Sequence, residues 1–203
     1  MTFSLVRAHI IPPTVTARRN DGILEVRISS FNQGTSRALR HTVINAEKEM
    51  GPHLRGLIID LRSNPGGLLD QSVAAANLFM RGGRIISTAG RHPDSAQIFD
   101  AASGEWAAGL PIVLLVNGKS ASAAEIMAVA LRDSGRAAVI GSTSYGKGTV
   151  QTIIRLPNGG EMVITWARIH APSGQTLHQQ GLVPVFCTHV KGRRLRHLMQ
   201  SLR

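Results

Sequence analysis

Scarcity does much of the narrowing in this chain. Its 203 residues contain one cysteine, Cys187, so no internal disulfide can form and no cysteine-based metal centre can be built. Aromatic residues make up only 4% of the chain and do not alternate with basic ones, so a stacking surface for single-stranded nucleic acid lacks its material and nucleic acid is not an expected partner. Apolar runs are short. No window approaches the 18 consecutive apolar residues of a membrane-spanning helix, and the start, MTFSLVRAHIIPP, shows neither a basic leader nor a small-residue cleavage site. The eight histidines never form a His-x-x-x-His pair, so neither a metal nor any other cofactor is expected. Acid is scarce too: 12 Asp and Glu stand against 23 Lys and Arg, a net charge of +11. The closing stretch KGRRLRHLMQSLR is basic without a single acid. Such a tail reads first as a solvated end or a short amphipathic helix, and it also suits peripheral contact with an anionic membrane surface.

What is present suffices for one buried core, since 43% of the residues are hydrophobic. ILEVRISSF, between the turns NDG and NQG, alternates apolar with polar and predicts a strand. TSRALRHTVINAEKEM places Ala38, Leu39, Val43, Ala46 and Met50 on one helical face and stops at Gly51. GLIIDL, RIISTA, PIVLLV and AAVIG predict further strands, LDQSVAAANLFM a helix, and TIIRLPNGGEMVITWARI a hairpin. Alternating strands and helices through the centre predict an α/β layered fold with a largely parallel sheet, and the later hairpin predicts an added antiparallel β portion.

In such sheets chemistry collects beyond the carboxyl ends of strands, which singles out the loops RSNPGG, NGKSAS and STSYGKG. The second opens a greasy helix with two serines, Ser120 and Ser122. Ser122 and Glu125 match a capping box, in which the hydroxyl accepts from the amide three residues on; the competing reading is a nucleophile. In the third loop Lys147 is the only charged residue of GSTSYGKGTVQT and lies between two glycines, as a backbone that must approach others closely would require. A serine hydroxyl is a weak nucleophile, and a neutral lysine amine can take its proton where burial disfavours the ammonium. Oxyanion donors are on offer from the start of the helix after Ser122 and from the Gly66–Gly67 turn. Spacing alone leaves capping and chemistry both open. It also leaves open a Ser-His-Asp set through His170, although no G-x-S-x-G elbow is present. Lys119 is either a steering cation for a substrate carboxylate or a solvated side chain. Trp106, Trp166 and Phe186 read as core or rim residues, and GGEMVITWARIHAPSG as strands along which an extended peptide could lie.

Four motifs in order, DLRSNPGGLL, VNGKSASAAEIMAVALRD, GSTSYGKGTVQ and NGGEMVITWARIHAPSGQTLHQQGLVP, resemble the protease domain of the carboxyl-terminal processing, or tail-specific, serine proteases from about Gly22 to Val185. That resemblance implies Ser122 as nucleophile, Lys147 as general base and Gln151 as the residue that holds the lysine. It also implies an oxyanion hole from the amides of Ala123 and of Gly66 or Gly67, and a supporting or purely structural place for Asp133. The implied fold is a spiral of β-β-α units shared with the Clp protease and crotonase enzymes. The implied organisation is a remnant of the strand or linker leaving a missing PDZ domain over 1–21, a protease core over 22–190 and the basic tail over 191–203. The expected activity is that of a metal-free endopeptidase that binds extended peptides and proteins, processes or degrades C-terminal regions through an acyl-enzyme, and works outside the cytoplasm, in the periplasm or at the membrane, with homo-oligomers open. Two other readings stand beside it. One is a non-proteolytic peptide-binding scaffold on the same fold, inactive without a PDZ domain. The other is an acyl-CoA-handling crotonase-type enzyme, disfavoured because it would not require Lys147 within reach of Ser122.

Overall fold

The computed structural model describes residue 3 and residues 10–102 and 105–188, so the basic tail at 191–203 lies outside the described residues. In chain order the elements are β1 (Val15–Asn20), β2 (Ile23–Ile28), α1 (Thr35–Met50), β3 (Gly56–Asp60), α2 (Leu69–Asn77), β4 (Arg84–Ala89), β5 (Gln97–Asp100), β6 (Ile112–Val116), α3 (Ala123–Asp133), β7 (Ala138–Gly141), β8 (Thr149–Arg155), β9 (Glu161–His170) and β10 (Phe186–Cys187). Two short 3₁₀ turns, Gly51–His53 and Pro93–Ser95, complete the list.

A main sheet of order β1-β2-β3-β6-β7-β10 is parallel from β2 onward. Its first strand is antiparallel, joined to β2 by a two-residue turn at Asp21 and Gly22 with φ of 44° and 77°. Both turn residues are left-handed, the requirement of a tight hairpin whose twist matches its strands, and Asp-Gly meets it. Val15–Asn20 therefore belongs to the core sheet. Five of the six β1 residues are exposed, which is why no apolar alternation marked the strand.

The second sheet, of order β5-β4-β9-β8, is antiparallel. The helices fill the core. α1 turns Leu39, Val43 and Ala46 inward, as its periodicity predicts. α2 ends at Asn77, short of the predicted Met80, because Phe79 and Met80 donate to Ala76 and Asn77 in tighter three-residue turns. α3 is buried on every side from Ala123 to Leu131 and packs against α2, β4 and β7. A helix lodged in the interior has no solvent face to keep polar, and this accounts for its composition.

On the main sheet, Leu24, Val26, Ile28, Leu57, Ile59 and Leu114 face the core. The opposite face presents Glu25, Arg27, Ile58, Asp60 and Leu115, which with Arg18 and Arg62 line an open cavity of about 290 Å³.

Candidate active site

The loops after β3, β6 and β7 meet at one edge of the main sheet, and buried polar groups fasten the first two together. Ser120 is fully buried; its Oγ donates to the Leu61 carbonyl at 2.8 Å and accepts from the Asn117 amide at 3.0 Å. Asn117 Oδ1 accepts from the Ser63 amide at 2.9 Å, and the Ala121 amide donates to the Asn64 carbonyl at 2.9 Å. Asn64 is itself fully buried, donating to the Ile28 carbonyl at 2.9 Å and accepting from the Gly66 amide at 2.8 Å. Gly66, at φ +104°, lies so close to the next loop that a Cβ there would stand 2.8 Å from the Ala121 carbonyl oxygen and 2.9 Å from Ser122 Cβ. The glycine is a steric requirement of the nucleophile turn.

Ser122 closes that turn at φ 55° and ψ −117°, half-buried, as the residue that opens α3. A non-glycine residue at positive φ on a strand-to-helix turn is a strained arrangement of the kind that presents a side chain at a functional site. The first amides of a helix have no partner within it. Among the described residues neither the Ala123 nor the Gly67 amide donates to a protein acceptor, whereas that of Gly66 is committed to Asn64. Of the two glycines, it is Gly67 that keeps a free donor.

Glu125, three residues into the helix, is fully buried. Its Oε2 accepts from the Ser122 amide at 2.8 Å, the carboxylate half of the predicted capping box. The same oxygen accepts from the Lys147 amide at 2.9 Å, while Oε1 accepts from the Gly146 amide at 2.7 Å and from the Ser144 hydroxyl. Residues 122 and 147, distant in sequence, thus share one acceptor atom.

The lysine loop is braced from behind by the turn 177–182. Gln179 N donates to the Gly146 carbonyl at 2.9 Å, Ser144 N to the Leu182 carbonyl at 3.1 Å, and Leu182 N to Ser144 Oγ at 2.7 Å. A Cβ at Gly148 would meet His178 N at 2.3 Å and one at Gly146 would meet Gly181 N at 2.9 Å, so both flanking glycines are demanded by close backbone approach, as predicted. Lys147 itself is exposed. This corrects the expectation of a lysine buried by the fold: the turn 177–182 occupies the inner side of the loop and covers the glycines, not the lysine.

The remaining candidates are placed as follows. Gln151 is exposed on β8, opposite Thr165 and beside a register shift, and among the described residues its side chain makes no hydrogen bond. Asp133 ends α3, about 16.5 Å from Ser122 at roughly 1.5 Å per residue; it accepts from Arg132 at 2.8 Å and from the Ser173 amide at 3.2 Å, a structural role. Asp60 is held between Arg27 and Arg62 on the opposite face of the sheet. His170 pairs with Ser87 in the second sheet, and Lys119 is exposed. Trp106 lies under the Arg40 guanidinium at 5.1 Å, and Trp166 beside His92 at 5.2 Å. Reading the sequence found Glu125 only as a cap and missed Asn64, Ser120 and Ser144 as fasteners; the one signal for Glu125 was the Ser-x-x-Glu spacing.

A strained serine thus opens a buried helix, with the unengaged Ala123 amide next to it and a lysine loop bound to the same carboxylate. The chain belongs to peptidase family S41, whose family model matches residues 22–186. It is 38% identical over 185 residues to a carboxy-terminal-processing protease of Bartonella bacilliformis, covering 91% of this chain and 43% of that protein. It is 37% identical over 182 residues to the carboxy-terminal processing protease CtpA of Bacillus subtilis, covering 89% and 38%. Among solved structures, the photosystem II D1 C-terminal processing protease superposes with a TM-score of 0.77 at 27% identity, over 88% of this chain and 49% of that one. The fold is thus the Clp-like spiral of β-β-α units with its antiparallel addition. The chain spans about two fifths of the length of the two sequence relatives.

Proposed function

We propose that this chain is a serine endopeptidase of the carboxyl-terminal processing type, with Ser122 as nucleophile and Lys147 as general base. The observation that carries the reading is the Ser122 turn: a positive-φ serine at a helix start, with the free amides of Ala123 and Gly67 nearby and its own amide on the oxygen that also holds Lys147. In the proposed reaction Ser122 Oγ attacks the scissile carbonyl and its proton passes to the Lys147 amine. The carbonyl oxygen, now negative, is held by the two amides, a contribution of about 3–4 kcal/mol per donor in hydrolases of this type. The C–N bond breaks as the amine leaving group takes the proton from Lys147. Water, activated by the same amine, then releases the acyl group from Ser122. No metal takes part.

The substrate would be an extended peptide. Among the described residues β8 is an end strand of the second sheet, and it begins two residues after Lys147, so a peptide added along that edge is led to the site. Lying there it would cover the exposed Lys147 and strip water from it. Gln151, four residues on, is retained as the residue that steadies the amine. Processing of C-terminal regions follows the relatives' names, and an extracytoplasmic setting follows the family resemblance of the motifs. Among the described residues no helix is long and apolar enough to cross a membrane. The two sequence relatives both carry protease names, so the scaffold reading gains no support.

Turnover of unfolded casein and of a peptide with an apolar C-terminus tests the proposal. The parent chain is expected to cleave, and Ser122→Ala and Lys147→Ala to lose about 10³-fold or more in kcat with unchanged thermal unfolding. Parental rates in both variants would overturn it.

A further inference from the structure

An ordinary capping box uses a carboxylate to satisfy one amide at a solvent-exposed helix start. Glu125 does something different. It is fully buried, and it takes four donors from two segments of chain: the Ser122 amide and the Lys147 amide on Oε2, the Gly146 amide and the Ser144 hydroxyl on Oε1. An ionised carboxylate offers about four lone-pair sites, so every one is used. A charge so deep is tolerated only where it is fully hydrogen-bonded, and cooperative bonding in a dry interior makes such a set stiff. Ser144 extends the set to a third segment, since its Oγ also accepts from the Leu182 amide at 2.7 Å. The turn 177–182, the lysine loop and the nucleophile turn are thereby joined through two bonded side chains, Ser144 and Glu125.

The two backbone conformations that the chemistry needs are also the ones Glu125 grips. Ser122 sits at φ 55° and Gly146 at φ +89°, and the amide of each ends on this carboxylate. We propose that Glu125 is a positioning residue for catalysis: it locks the strained nucleophile turn to the Gly-Lys-Gly loop and so fixes Ser122 relative to Lys147 before any substrate arrives. This rests on the Ser122–Lys147 reading for its catalytic consequence, but the lock itself is a property of the unliganded chain.

The charge is what matters. In Glu125→Gln one oxygen becomes an NH₂ donor, and whichever way the amide is turned it faces backbone donors that had an acceptor. Two of the four bonds are lost while the shape is kept. A misplacement of about 1 Å in a catalytic group costs on the order of 100-fold in rate. Glu125→Gln is therefore expected to lower kcat about 100-fold with KM changed less than about threefold. Glu125→Asp, a methylene too short to reach both loops, should not rescue it.

Amide hydrogen exchange on the unliganded chain supplies the readout that plain structural glue would not give. In Glu125→Gln the backbone amides on the oxygen that becomes NH₂, either the Ser122 and Lys147 pair or Gly146, should exchange at least about tenfold faster, while Val129 and Ala130 inside α3 keep parental protection. Parental exchange at all three of those amides, or a uniform loss of protection through α3, overturns the proposal, as does a loss confined to KM. If Glu125→Gln does not fold, Ser144→Ala decides: it removes one donor and should speed exchange at Leu182 and Gly146, and unchanged exchange at both overturns the proposal. Exchange needs no turnover, so the outcomes separate. If Ser122→Ala and Lys147→Ala cleave at the parental rate while the amides respond as stated, the dyad falls and the lock stands.

Discussion

Ser120 and Ser122 are two positions apart and have opposite tasks. Ser120 is sealed in the interior with its hydroxyl bonded on both sides, to the Leu61 carbonyl and the Asn117 amide, and it fastens the β6 loop to the β3 loop. Ser122 is half-buried in a strained turn. Ser120→Ala leaves two buried backbone groups without their partner, at about 1–3 kcal/mol for each. The expected result is a clear loss in urea-unfolding free energy with chemistry retained per folded molecule, the reverse of Ser122→Ala. Asp60 gives the pH counterpart. Burial pushes its carboxyl up, but hydrogen bonds from the Arg62 side chain and backbone and the charges of Arg62 and Arg27 outweigh this and hold it below its ordinary value of 3.8. A carboxyl depressed in the fold contributes stability that is present above its unfolded value and is lost as pH falls toward its folded one. Asp60→Asn should therefore lower stability at neutral pH and flatten the fall in stability below about pH 4. Urea unfolding across that range checks it, and a variant whose acid limb runs parallel to the parent's would remove Asp60 from the account.

At the scale of elements, legibility followed burial. α1 is predicted over the residues where it is found, because only one of its faces is buried and the period shows. β4 likewise runs over the six residues predicted, and the hairpin of β8 and β9 stands where NGG marks the turn. Strands without a buried face were invisible: β1 is held by its Asp-Gly turn and by pairing with β2, β5 is mostly exposed and is held by pairing with β4, and β10 is two residues long. The site divides in the same way. Gly66, Ser122 and the glycines around Lys147 could be singled out because tight backbone geometry restricts residue type, and at the three glycines close approaches by neighbouring backbone demand it. The fourfold use of Glu125 could not, since nothing in Ser-x-x-Glu tells which distant loop will arrive at the carboxylate's other lone pairs. Lys147 shows the limit of a chemical argument made without geometry. Flanking glycines correctly implied close packing of the backbone, but packing of the backbone on one side leaves the side chain to the other.

At the scale of the molecule, charge is the property least tied to the fold and most open to test. The chain carries +11 overall, and the two lysines nearest the candidate nucleophile in the loops, Lys119 and Lys147, are both exposed while the neighbouring acid, Glu125, is buried and fully bonded. The expectation for an approaching peptide is a positive field at the mouth of the site, and such a field raises encounter rates for ligands of the other sign. The reach of that field is set by salt, from about 30 Å at 0.01 M to about 3 Å at 1 M. The Ser122→Ala chain should thus bind a labelled apolar peptide flanked by Asp and Glu faster than the same peptide flanked by Lys, with the ratio of association rates falling toward one as salt rises through this range. Dissociation rates should move much less, because steering acts on encounter and not on the closed contacts. Stopped-flow anisotropy separates the two rates. Replacing Lys119 by Gln should reduce the ratio at low salt and leave its high-salt limit where it was; a ratio that ignores both salt and Lys119 would mean that the excess charge lies too far from the site to be felt there.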